Sequence, residues 1–150
     1  MHNDTTLRKH AIVLLFGYAL QFLAGMLLNL FVTIPTQHPG DAGSNYFIRS
    51  AHSLLWALSG SGGWELTFHA YLALLLLAGS TALFVRALIL HNKEWAISGG
   101  LAALITSGAL FNGLSFVDFN HNHSSMIMAA CWLGAVGVLV FSLIRSKKIH

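Results

Sequence analysis

The sequence predicts an all-α membrane protein: a four-helix transmembrane bundle with an extra short amphipathic surface helix in the outer loop between helices 1 and 2. Three observations predict it. Hydrophobic residues make up 55% of the 150 residues and charged residues only 9%, whereas a soluble domain carries roughly 25% charged residues to coat its surface. Four long apolar runs divide the chain. Basic residues gather beside alternate ends of those runs, the asymmetry that sets orientation in a bilayer.

The first run, Ala11 to Ile34, contains no charged residue. It exceeds the roughly 17 residues a span requires. It is too long for a signal-peptide core, and no small-residue cleavage site follows Ile34-Pro35. The outer loop, 35–65, comes next. Pro39-Gly40 reads as a turn. From Asn45 to Leu58 the apolar residues recur with helical spacing, placing Phe47, Ala51, Leu54, Leu55 and Leu58 on one face. Arg49 and Ser53 fall opposite. Ser44 or Asn45 can cap the start, and the Ser59-Gly60-Ser61-Gly62-Gly63 stretch ends the helix. Such a segment lies on the membrane surface with Trp56 at the interface, as a lid over the bundle. Leu66 to Leu90, Trp95 to Val117 and Ser124 to Ile144 complete the four spans. Arg86, near a helix end where it can snorkel, is the one charge inside them. The length permits a single integral membrane domain, 1–150.

Seven of the eight basic residues, Arg8, Lys9, Arg86, Lys93, Arg145, Lys147 and Lys148, fall on one side of this topology, and Arg49 on the other. The expected location is a bacterial cytoplasmic membrane with both termini cytoplasmic. The net charge of +3 belongs to these flanks. No basic stripe with interleaved aromatics exists, so nucleic acid is not an expected partner. Cys131, the single cysteine, excludes an intrachain disulfide and a CxxC pair.

Small and amide residues recur every four positions in the first run: Gly17, Gln21, Gly25, Asn29 and Thr33. Gly99, Ala103 and Ser107 do so in the third. Small residues let helix backbones approach, and amides bond across them. These are expected as packing glue, with Asn29 and Asn112 closer to the outer end.

Nine histidines exceed the eight lysines and arginines together. The topology sends His2, His10, His91 and His150 inward, where they serve as interfacial polar groups. It gathers His38, His52, His69, His121 and His123 on the outer side. His69 stands about one turn inside the second span, where ionisable groups are costly and often functional. Glu65, four residues earlier, shares its helix face and can orient the imidazole as a neighbouring carboxylate does in metal sites. The equally weighted structural reading is a satisfied His–Glu pair near the headgroups. His121, His123 and Met126 lead into the fourth span, with Asp118 as a possible orienting partner. Imidazole with thioether suits copper or haem iron; the bland alternative is a polar turn followed by packing methionines. His52 or His38 can complete such a site, or be solvated.

No HExxH, GxSxG, P-loop or paired carboxylates occur, so no catalytic class is assigned. The inner halves of the spans lack relay groups for a proton or ion path. Three readings stay open. The first is a b-type haem protein with His69 and His123 as axial ligands, and His52 and Asn112 near the cofactor. The second is an outward copper or zinc site built from His69, His121, His123, Met126 or His38. The third is an accessory subunit of a larger membrane complex, or a homo-oligomer, whose small-residue stripes meet a partner.

The strings Asn29-Leu30-Phe31-Val32-Thr33-Ile34-Pro35, His38-Pro39-Gly40, Phe111-Asn112-Gly113-Leu114-Ser115-Phe116 and Ser124-Ser125-Met126-Ile127-Met128-Ala129 resemble a group of small bacterial four-span membrane proteins. That likeness implies the fold and no activity. A looser similarity is to b-type membrane cytochromes, which hold haem b between histidines on different helices of a four-helix bundle. It implies a membrane redox partner, and haem between His69 and His123.

Overall fold

The computed structural model describes residues 2–35, 37–38, 44–119 and 122–146. These form five helices: α1 (His2–Phe31), α2 (Tyr46–Leu58), α3 (Trp64–Ile89), α4 (Lys93–Phe119) and α5 (Asn122–Ser146). All but α2 are long and apolar enough to cross a membrane. Their outward surface is apolar, as at Val13, Phe16, Leu75 and Leu104, which suits lipid. The expected Pro39-Gly40 turn lies outside the described residues.

Each long helix begins before its apolar run. The start of α4 is set by Asn92, whose side chain accepts from the Trp95 amide at 3.3 Å. His91 before it adopts φ 52, the left-handed conformation that lets the α3–α4 turn close so tightly. α1 stops short of Ile34, because Pro35 disfavours helical backbone in the residue before it. Asn45 is the N-cap of α2, accepting from Ile48 N at 3.1 Å.

The four long helices form a ring in the order α1, α3, α4, α5. The α3–α4 and α4–α5 seams are the most extensive and the α1–α5 seam the least. Gly99 explains the close α3–α4 approach: a Cβ there would stand 2.7 Å from the Phe84 backbone nitrogen. At the end carrying the termini, α1 and α5 are tied by Arg8, which donates to the Leu143 carbonyl at 3.1 Å and to Ser146. Halfway along, Trp132 Nε1 donates to the Tyr18 carbonyl at 2.7 Å.

α2 lies across the opposite end, the lid end, but not on the face expected of it. Its buried residues are Ser50, Ser53, Trp56 and Ala57, while Phe47 and Leu55 are 74% and 65% exposed. The cause is Asp118 at the end of α4. Its buried carboxylate accepts from Ser50 Oγ at 3.3 Å and from Ser53 Oγ, and those hydroxyls must face inward to reach it. Trp56 is therefore not an interfacial anchor. It is packed beneath His38, with ring centroids 4.6 Å apart and planes 14° from parallel.

Candidate functional site

The bundle core is divided. One apolar cluster, including Leu14, Leu83, Trp95 and Leu139, fills the half nearest the termini. A second, including Leu28, Trp56, Leu66 and Val117, lies beneath α2. Between them is a cavity of about 420 Å³. Tyr18, Leu76, Thr106 and Ala135 line it toward the first cluster, and Leu54 and Ala57 of α2 line it toward the lid. No Lys, Arg, Asp or Glu is among its described lining residues.

Polar atoms enter this apolar wall at few places. The Tyr18 hydroxyl bonds Ser80 Oγ at 3.0 Å and Thr106 Oγ1, so it is satisfied within the protein. His69 differs. Gln21 Nε2 meets the imidazole Nε2 at 3.1 Å and donates to the His69 carbonyl at 3.3 Å. An amide NH₂ only donates, so the ring Nε2 accepts and the neutral imidazole carries its proton on Nδ1. That Nδ1 and the Gln21 Oε1 are both buried without a hydrogen-bond partner. A donor on one residue and an acceptor on the other thus stand unsatisfied, at a cost of roughly 1–3 kcal/mol each. Gly25 gives the ring its room: a Cβ there would lie 3.1 Å from His69 Cε1.

The expected Glu65–His69 pair is not formed. His69 Nδ1 has no partner, and the Glu65 Oε2 turns instead toward Gly63, 3.2 Å from where a Cβ would stand. The imidazole is held from α1, not from its own helix. Nothing in the spacing of α3 alone signals this. The available signal was Gln21 itself, an amide between two glycines on the stripe that meets α3.

The other candidates fall in several places. Met126 lines the cavity and is 68% exposed. Met128, Cys131 and Asn29 also line it. His123 is exposed at the start of α5 and is not on the cavity wall, and His52 is exposed on α2. Asn112 donates to the Gly108 carbonyl of its own helix at 2.8 Å. His38 Nε2 is 3.1 Å from the carbonyl of Val117, to which it donates. Asp118 is engaged by the α2 serines. His121 lies outside the described residues. Among the described residues no three His, Cys, Asp or Glu side chains converge to hold a metal ion.

No family model, curated protein or solved structure matches the chain.

Proposed function

We propose that the chain is an intramembrane binding protein for a small, neutral, mostly apolar molecule, held at its polar end by His69 and Gln21. The observation that carries this reading is the pairing of an unsatisfied imidazole Nδ1 with an unsatisfied amide oxygen in the wall of a 420 Å³ apolar cavity. Ligand pockets are concave and apolar with a few polar groups that fix orientation, and this cavity has that composition. With the termini cytoplasmic, as the basic residues imply, it opens in the outer half of the bilayer.

The neutral reading is favoured over the two bound-metal readings by the donor set. A haem b held by two imidazoles requires His123 beside His69, and its carboxylates want basic partners; the described lining supplies neither. The described residues that could hold a haem are His69 and the thioethers of Met126 and Met128. A copper or zinc ion prefers three or four ligands, and His69 is the one histidine on the described wall.

Purification in lipid nanodiscs, with an absorption spectrum, metal analysis and mass spectrometry of an organic extract, tests this. The expected result is a stoichiometric neutral organic molecule, no Soret band and no stoichiometric metal. A Soret band lost in His69→Ala would replace the reading with a b-type haem protein. Stoichiometric copper or zinc would replace it with a metal site. A ligand-free chain copurifying with another subunit would make it an accessory subunit.

A further inference from the structure

The cavity is not equally closed on all sides, and the open side identifies how a ligand arrives. Its described lining residues on α2, α3 and α4 are all buried or half-buried. The exposed ones, Phe22, Met26, Asn29, Met126 and Ala129, all belong to α1 or α5. They lie on the lid-end side of the Trp132–Tyr18 bond, and among them Phe22 packs on the Trp132 ring with centroids 4.8 Å apart, the last tie seen between those two helices. On the side toward the termini the seam is closed by the Trp132–Tyr18 bond and by Arg8. Above Trp132 it carries exposed side chains and opens sideways, along helices whose surroundings are apolar.

We infer that the outer α1–α5 seam is a lateral portal through which a neutral lipid bearing a hydroxyl head passes from the bilayer to His69 and Gln21. This rests on the cavity being a binding site. The ligand class follows from two features. The described wall holds no charged side chain, so an ionised head would be desolvated without compensation. A hydroxyl both donates and accepts. It can accept from His69 Nδ1–H or donate to Gln21 Oε1; because Nδ1 points away from the ring nitrogen that meets Gln21, two hydroxyls on one head, as in a hydroquinone, are needed to satisfy both. A carbonyl alone satisfies only the first. An aliphatic alcohol, with one hydroxyl, satisfies one of the two.

The test uses the full chain in nanodiscs under anaerobic conditions, with three probes: 2-decylhydroquinone, 2-decylbenzoquinone and dodecanol. Binding of the hydroquinone about tenfold tighter than the quinone is expected, because the quinone leaves Gln21 Oε1 unpaired. Dodecanol, with one hydroxyl, should bind more weakly than the hydroquinone; equal affinity would overturn recognition at both His69 and Gln21. His69→Phe and Gln21→Leu should each lower hydroquinone affinity about tenfold. Ala129→Trp, and independently Met126→Trp, should slow association by about tenfold, since a plug at the seam raises the entry barrier. Unchanged rates in both correctly folded plug variants would overturn the portal while leaving the cavity reading intact. Equal hydroquinone and quinone affinity would overturn the hydroxyl assignment. Binding of none of the probes, with no molecule coextracted, would overturn the cavity reading itself.

Discussion

His69 and Gln21 make a polar contact inside an apolar bundle that is modest for folding and, in the proposed reading, decisive for recognition. Hydrogen bonds between membrane helices contribute about 0.6 kcal/mol on average, and rarely more than about 1.7. Gln21→Leu should therefore lower unfolding free energy by less than about 2 kcal/mol in a micelle-unfolding titration, while ligand retention drops steeply. A larger unfolding penalty would show that the pair serves structure first. Tyr18→Phe presents the complementary case. It removes the tyrosine hydroxyl from Ser80 and Thr106, though Thr106 still donates to the Ala102 carbonyl at 2.7 Å, and should cost about 1 kcal/mol in the same titration. His69 was legible in the sequence because an ionisable group one turn inside a span is conspicuous. Its partner was not, since Glu65 at i−4 was the nearer candidate and cross-helix contacts depend on how each helix is rotated about its axis. His38 shows the same limit. Its stacking on Trp56 and bond to Val117 arise from three separate segments.

The helices themselves were readable from hydropathy because a bilayer demands long apolar segments with internally paired backbones. The face that α2 presents was not. Its apolar residues suggested inward packing, but Asp118 draws Ser50 and Ser53 inward and leaves Phe47 and Leu55 outward. Ser53, fully buried, is the sensitive point. Ser53→Val leaves the carboxylate short of a donor, and the unsatisfied group should cost roughly 1–3 kcal/mol, seen as faster proteolysis at the lid end. Ser53→Thr, which keeps the hydroxyl, should be milder. The α3–α4 seam offers a steric counterpart. Gly99→Leu would drive a side chain into the Phe84 backbone, and overpacking of this kind costs typically 1–3 kcal/mol. An unchanged unfolding midpoint for Gly99→Leu would contradict the close approach of those two helices.

The bundle as a unit joins three asymmetries: basic residues at one end, a lid at the other, and a cavity beneath the lid. The orientation proposed from charge is checked by labelling. In a Cys131→Ser background, an impermeant maleimide should modify Ser61→Cys on intact cells and Lys93→Cys only after permeabilisation; the reverse pattern would place the cavity in the inner leaflet. Binding within the cavity is read from the mass of the intact protein. Released from nanodiscs into a native mass spectrum, the wild-type chain should carry one small neutral adduct. Ala73→Phe, which fills the cavity from α3, should be bare at unchanged helical content. A bare wild-type chain, or the same adduct on Ala73→Phe, would contradict a ligand held between His69, Gln21 and the cavity wall.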